Sequence, residues 1–116
     1  MYMNDYQNAA RKTAMGNSLD HFVHGLTEEA GEVAGVMKRF HRGDEKYRVG
    51  ENPGYFADLS PFAKEKLLDE IGDVLWYIAM IADELETPLE YVAQRNIDKL
   101  ADRKNRNVIT GTGDNR

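Results

Sequence analysis

The chain has 116 residues, enough for one domain with a modest hydrophobic core. Its 15 Lys and Arg against 20 Asp and Glu give a formal charge of −5, so it lacks the basic surface that coats nucleic acid. The absence of Cys excludes disulfide scaffolds, zinc ribbons and thiol nucleophiles, and no apolar run approaches the ~20 residues of a membrane span. The first residues lack the basic and apolar regions of a signal peptide, so a cytoplasmic protein is expected.

Apolar residues recur at steps of three and four along most of the chain, a period that predicts helices. The first helix is expected from Asn4 to Thr13. The second is expected from about Leu19 to Phe40, with Ser18 as its N-cap. The third is expected from Pro61 to about Glu86, because Ser60 suits the N-cap and proline suits the first helical position.

Residues 41–60, between the second and third helices, have a different character. They include three glycines, Pro53 and many charges of both signs, without a sustained period. A loop of this length is uncommon inside a compact domain and is often functional. The segment is therefore expected to be either a lid over a site or a plain surface insertion.

A fourth helix is expected to follow the motif Thr87-Pro88-Leu89-Glu90, which has the pattern of a capping box, and to run to about Arg103. Residues 107–116 are expected to form a polar tail rich in glycine. The sequence shows no internal repeat and no credible strand pair. It therefore predicts an all-α fold, a bundle of about four helices forming one domain over residues 1–116.

Two acidic pairs lie at the borders of the buried stripes on the second and third helices. At ~100° per residue, Glu29 and Glu32 lie to one side of the apolar stripe on the second helix. Glu70 and Asp73 lie to the same side of the stripe on the third helix. If the two helices pack side by side, these four carboxylates converge, and they then repel one another by several kcal/mol unless a cation binds. Oxygen ligands favour Mg²⁺, Mn²⁺ or Ca²⁺ over zinc. No Glu has a His three residues later, as a di-iron bundle would require.

The alternative is that these acids form only a solvated helix border. Two observations favour a site: the phases of the two pairs match, and each pair lies next to a glycine in mid-helix. Gly31 and Gly72 cost roughly 1 kcal/mol each there, which close helix approach or room for a ligand would explain.

The fourth helix places Asn96 near the centre of its apolar stripe, with Lys99 and Arg103 on the same side. An Asn on a core face must have its amide hydrogen-bonded. One interpretation is a structural Asn with two cations extending to solvent. The other is a group of three side chains that binds phosphates, and the pattern alone favours neither.

Together these motifs resemble the signature of the all-α nucleoside triphosphate pyrophosphohydrolases, and within them the MazG-like branch. The resemblance covers nearly the whole chain, beginning at Tyr6-Gln7. It rests on these motifs: Glu28-Glu29-x-x-Glu32, Glu70-x-x-Asp73, Asn96-x-x-Lys99-Leu100-x-x-Arg103 and Gly111-Thr112-Gly113-Asp114-Asn115-Arg116. One departure is the 37 residues between Glu32 and Glu70, a longer link than in the simplest members.

The resemblance implies Mg²⁺-dependent cleavage of nucleoside triphosphates, deoxynucleoside triphosphates in particular, between the α and β phosphates. Mn²⁺ is an alternative metal, and the products are a nucleoside monophosphate and pyrophosphate. The implied metal ligands are Glu29, Glu32, Glu70 and Asp73. Glu28 and Glu32 are the carboxylates expected to orient the attacking water. Homodimers or homotetramers are implied as well, without a nucleic-acid polymer or a membrane as partner.

The remaining site residues are expected to bind the substrate. Asn96, Lys99 and Arg103 would bind its phosphates, while Trp76 and Tyr77 would contact the base, although an aromatic residue on a bundle helix is more often core or interface.

Two alternatives stay open for the function. The chain could be a non-catalytic helical interaction module, or a relative of the dimeric dUTPases or of phosphoribosyl-ATP pyrophosphohydrolase.

Overall fold

The computed structural model describes residues 1–51 and 56–116. Within these ranges the chain forms four α-helices: α1 (Met3–Arg11), α2 (Leu19–Arg42), α3 (Pro61–Glu84) and α4 (Leu89–Asn105). The described part contains no strand, only an isolated bridge between Arg48 and Leu59. The predicted all-α class is confirmed, and every helix end lies within two residues of the predicted one.

The ends of the two long helices follow the predicted local chemistry. Ser18 accepts a hydrogen bond from the amide of His21 at the start of α2. Gly43 caps the end of the helix, with a φ of 84°, the left-handed conformation that glycine adopts at little cost. Ser60 accepts from the amide of Ala63 at 3.0 Å, with Pro61 in the first turn of α3.

The long helices α2 and α3 pack side by side and run antiparallel. Phe22, near the start of α2, meets Trp76 and Tyr77 in the second half of α3, with ring centroids 5.7 and 6.4 Å apart. Phe22 is fully buried, and α1 with the start of α4 covers this end of the pair through Ala10 and Leu89. This antiparallel pairing aligns the acidic motif of α2 with that of α3.

The start of α4 differs from the predicted capping box. Its N-cap is Pro88, and Thr87 instead donates its hydroxyl to the carbonyl of Leu85. The first two amides of α4, those of Leu89 and Glu90, donate to Gln7 Oε1 at 2.9 Å and Asn4 Oδ1 at 3.0 Å. Because the first amides of a helix have no partner within it, these two side chains of α1 cap α4 from outside.

Beyond Leu89, the apolar stripe of α4 is not part of the core of this chain, which corrects the prediction for Asn96. Asn96 is exposed, and on the same stripe Ile97 is 59% and Leu100 38% exposed. Among the residues of α4, only Leu89 and Arg103 are buried. The stripe therefore faces away from the other helices of the same chain.

The segment of residues 41–60 has a fixed base. Val49 donates its amide to the carbonyl of Asp58 at 2.8 Å, and Ser60 donates its amide to the carbonyl of Tyr47 at 3.1 Å. The ring of Tyr47 packs edge-on against Phe62 of α3, with centroids 5.3 Å apart. Pro53 and Gly54 lie outside the described residues, and the choice between lid and insertion stays open.

Candidate metal centre

Three of the four predicted acids converge between α2 and α3. Glu29 of α2 and Glu70 and Asp73 of α3 each present a carboxylate oxygen, and these three oxygens lie within 4.8 Å of one another. Glu29 and Glu70 are partly buried, whereas Asp73 is exposed. The helical spacing predicts this convergence, because residues three apart on α3 share a face and that face meets Glu29 across the pair. We call these three residues the acidic cluster.

Glu32 and Glu28 lie outside the acidic cluster. Both are exposed on α2, and Glu32 is one helical turn beyond Glu29. Their negative charges nevertheless raise the pKa of Glu29, as do the charges of Glu70 and Asp73. The structure thus brings together three of the predicted ligands and leaves Glu32 beside them, and the metal-binding role of all four stays a prediction.

The electrostatics of the acidic cluster favour a cation. Partial burial raises the pKa of Glu29 above its ordinary value of 4.5, and the charges of Asp73 and Glu70 raise it further. A bound divalent cation would offset both effects. The donor set consists only of carboxylate oxygens, which suits Mg²⁺ or Mn²⁺. The residues present therefore fit the metal that the sequence motif implies.

The glycines beside the cluster leave open space. A Cβ added at Gly31 or Gly72 would meet no atom within 4 Å in the structure, so close helix approach does not explain either residue within the chain. By contrast, a Cβ at Gly25 would overlap the ring of Tyr77. Of the two predicted reasons for Gly31 and Gly72, the structure favours room for a ligand.

This difference gives a testable contrast in stability. Gly72→Ala should raise the free energy of unfolding by about 0.5–1 kcal/mol, because alanine is the better helix former and nothing obstructs its methyl group. Gly25→Ala should lower it by about 1–3 kcal/mol, because the ring of Tyr77 must move. Urea unfolding of both variants with EDTA present measures the two changes. Equal destabilisation by both would contradict the open space beside the cluster.

Trp76 and Tyr77, the predicted base-binding residues, form part of an aromatic group inside the chain. Trp76 donates its indole N–H to the hydroxyl of Thr13 at 2.7 Å, and its ring packs edge-on against that of Tyr77 with centroids 5.0 Å apart. Both rings are partly buried against the core. This packing favours a structural role for Trp76, and base binding stays a prediction for both residues.

Tyr6 is a neighbour of the cluster that the helical pattern did not single out. Burial raises the pKa of its phenol, and the charge of Asp73 raises it further. Tyr6 thus brings α1 into the surroundings of the acidic cluster. The one signal for it in the sequence is its place at the start of the motif series, next to Gln7.

The predicted phosphate-binding cations contact the tail of residues 107–116. Lys99 Nζ lies 3.0 Å from Asp114 Oδ1, and Arg103 Nη2 lies 3.0 Å from the same oxygen. The side chain of Arg103 is only 6% exposed. Within the described residues, the ion pairs of these two cations go to Asp114 and not to the acidic cluster.

Comparisons with known proteins agree with the geometry. The family model described as "MazG nucleotide pyrophosphohydrolase domain" matches residues 17–108, which include the acidic cluster and both cations of α4. The chain is similar to "Gene 37 protein" of Mycobacterium phage L5, with 37% identity over 125 aligned residues and 100% of both chains covered. It is also similar to "Uncharacterized protein YvdC" of Bacillus subtilis (strain 168), with 35% identity over 78 residues, 67% of this chain and 68% of the relative.

No solved structure matches the chain. None of the helices in residues 1–51 and 56–116 has the length and apolar character needed to cross a membrane. The match of the family model over most of the chain, together with the relative covered from end to end, confirms the resemblance seen in the motifs. The chain belongs to the MazG nucleotide pyrophosphohydrolase domain family.

Proposed function

We propose that the chain hydrolyses nucleoside triphosphates, and deoxynucleoside triphosphates in particular, to a nucleoside monophosphate and pyrophosphate. The observation that carries this proposal is the convergence of Glu29, Glu70 and Asp73 to within 4.8 Å, in the part of the chain that the family model covers. Three carboxylates without a cation repel the anionic substrate as well as one another. The cluster therefore makes chemical sense as a site for Mg²⁺ or Mn²⁺.

Glu29, Glu70 and Asp73 would hold the metal, with Glu32 as a further carboxylate one helical turn away. When bound, the metal supplies Lewis-acid chemistry: it offsets charge on the phosphates and makes water a better nucleophile. The open space beside Gly31 and Gly72 leaves the polyphosphate room to approach the cluster.

The proton of the attacking water needs an acceptor in the protein. Glu32 and Glu28 are exposed beside the cluster, so either carboxylate can orient the water and take its proton. The water oxygen forms a bond to the α phosphorus, while the bond from that phosphorus to the oxygen that bridges to the β phosphate breaks. The leaving pyrophosphate keeps the electron pair of that bond.

Lys99, Arg103 and Asn96 lie on neighbouring turns of α4, a spacing that suits several phosphate oxygens at once. The two cations would stabilise the charge that develops on the leaving pyrophosphate. In the structure Asp114 contacts both cations, so this role requires that contact to be lost.

The test of the proposed function is a panel of nucleotides with Mg²⁺ and identification of the products. The panel includes the common ribonucleoside and deoxynucleoside triphosphates, dUTP and phosphoribosyl-ATP. Monophosphate and pyrophosphate should form, EDTA should abolish turnover, and Mg²⁺ or Mn²⁺ should restore it. Orthophosphate with a nucleoside diphosphate as first products would exclude the proposed reaction. No turnover anywhere in the panel would favour the non-catalytic interaction module.

We also propose that the chain assembles as a homodimer or homotetramer. Its radius of gyration is 17.5 Å, whereas a compact domain of this length has about 13 Å. Its accessible surface is 8406 Å², whereas a folded monomer of 13.2 kDa exposes about 6,400 Å². The apolar stripe on α4, with Ile97 and Leu100, offers a face that a second copy would cover.

Sedimentation should therefore give two or four times the chain mass of 13.2 kDa at micromolar concentration. Ile97→Lys places a charge on the apolar stripe and should shift the protein to the mass of one chain. Arg95→Glu changes the charge by two units, more than Ile97→Lys does, but on a face about 160° away, so it should leave the mass unchanged. A wild-type protein that sediments only as a single chain would contradict the assembly.

A further inference from the structure

Residues 111–116, the last part of the tail, turn back onto α4. Gly113 has a φ of 82°, the left-handed conformation in which a side chain would be strained. The turn brings Asp114 to α4, where its Oδ1 lies 3.0 Å from both Lys99 Nζ and Arg103 Nη2. Arg103 Nη2 also donates to the backbone carbonyl of Asp114 at 3.2 Å. A single carboxylate oxygen of Asp114 thus accepts hydrogen bonds from both cations.

The side chain of Arg116 holds the turn in place. Its Nε donates to the carbonyl of Val108 at 3.1 Å and its Nη2 to that of Ile109 at 3.2 Å. Arg106, the residue after α4, donates to the backbone oxygen of Arg116 at 2.6 Å. The Gly-x-Gly-Asp-Asn-Arg motif thus forms a turn that is held against the end of α4. It lies beyond the residues that the family model matches.

The two sides of the contact differ in their exposure to water. The side chain of Arg103 is 6% exposed, and its described hydrogen bonds all go to the tail. The side chain of Asp114 is 80% exposed. Hydrogen bonds from Lys99 and Arg103 lower the pKa of Asp114, so the carboxylate is charged at neutral pH. An exposed carboxylate gains little from such ion pairs, because water and salt screen them.

A phosphate oxygen and a carboxylate oxygen are alternative acceptors for the same donors. A polyphosphate offers more negative charge than one carboxylate, and it can reach both cations at once. We propose that residues 111–116 form an autoinhibitory latch, in which Asp114 occupies the anion position of Lys99 and Arg103 until a polyphosphate displaces it. The proposal rests on the proposed function in one respect, that these two cations bind substrate phosphates.

The test uses inorganic pyrophosphate with the full chain in EDTA, so that neither a bound metal nor hydrolysis contributes. Asp114→Asn keeps the shape of the side chain and removes its charge. Its Kd for pyrophosphate, measured by calorimetry, should be about two- to fivefold lower than that of the wild type, the range expected for exposed ion pairs. Asp98→Asn is the matched control: it makes the same charge change on α4, where Asp98 contacts Gln94. Its Kd should stay close to the wild-type value.

NMR chemical shifts report on the latch itself. In the wild type, pyrophosphate should move the amide resonances of residues 111–116 towards random-coil values, and in Lys99→Gln this response should weaken. If Asp114→Asn binds pyrophosphate no more tightly than the wild type, or if bound pyrophosphate leaves the tail resonances unchanged, the latch is refuted. The tail is then a permanent part of the fold with Arg103 as its anchor.

Failure of the latch and failure of the proposed function are separate results. The pyrophosphate experiment needs no turnover, so a chain that hydrolyses no nucleotide can still release its tail on binding pyrophosphate. Conversely, hydrolysis of nucleotides with a tail that stays folded on α4 would leave the reaction intact and remove the latch. If the latch holds, Asp114→Asn should also lower KM for the substrate by a similar factor.

Discussion

Glu70→Gln should lose metal-dependent hydrolysis, with kcat lower by more than about 100-fold. Mutation of a group that only supports a metal ligand typically costs 10–100-fold, and Glu70 is itself one of the three converging carboxylates. Glutamine keeps the size of the side chain and removes one negative charge from the cluster. Because that charge raises the pKa of Glu29 in the metal-free protein, its removal should leave the free energy of unfolding unchanged or higher in EDTA.

The measurements are kcat with saturating Mg²⁺, and urea unfolding with EDTA or with Mg²⁺. A ligand that binds only the folded state stabilises it, so Mg²⁺ should stabilise the wild type and not Glu70→Gln. Glu65→Gln is the matched control, because it makes the same change at an exposed position of α3 outside the acidic cluster. Wild-type turnover in both Glu70→Gln and Glu29→Gln would show that the site lies elsewhere.

The acidic cluster could be predicted from the sequence because it depends on little besides helical phase. Once α2 and α3 pack side by side, the rotational positions of Glu29, Glu70 and Asp73 decide that they meet. Helical phase alone does not separate Glu32 from Asp73, because both lie at similar angles from their stripes. Glu32 is one turn beyond Glu29 along α2, and its carboxylate reaches Glu29 as a charge without joining the cluster.

The features that the sequence did not predict depend on residues far apart in the chain. The motif at Thr87 suits a capping box, but Gln7 and Asn4 of α1 provide the acceptors for α4 instead. Gly25 and Gly31 both lie inside α2, and only the position of Tyr77 distinguishes a crowded glycine from one beside open space. Local patterns carry no information on such partners.

The cations of α4 show a second limit of pattern reading. An apolar stripe on a helix predicts burial, but it does not say whether the partner belongs to the same chain. Asn96 is exposed because the stripe of α4 faces away from the other helices. Arg103 is buried because the tail folds over it. The helical period of α4 describes only which residues share a face of that helix, so it cannot predict the contact between Arg103 and Asp114.

The contribution of Glu29 to stability should reverse its pH dependence when the metal binds. Its pKa in the folded, metal-free protein is raised, first by burial and then by the charges of Asp73 and Glu70. The folded state therefore binds the proton more tightly than the unfolded state. The contribution of Glu29 is fully present below the ordinary value of 4.5 and is lost as the pH rises through the folded pKa.

Saturating Mg²⁺ should reverse this slope. The metal binds the deprotonated carboxylate, so in the loaded protein Glu29 holds its proton less tightly than in the unfolded chain. Its contribution is then present above the ordinary pKa and is lost as the pH falls. Below the folded pKa of the metal-free protein, the affinity for Mg²⁺ should fall by about tenfold per pH unit.

The measurement is the free energy of unfolding of the wild type minus that of Glu29→Gln, taken from pH 4 to 7 with EDTA and with Mg²⁺. Subtraction removes the titration of the remaining acids as far as they act independently of Glu29. The difference should fall with pH in EDTA and rise with pH in Mg²⁺. Parallel curves in the two conditions would mean that Glu29 titrates without regard to the metal, and Glu29 would then not be a ligand.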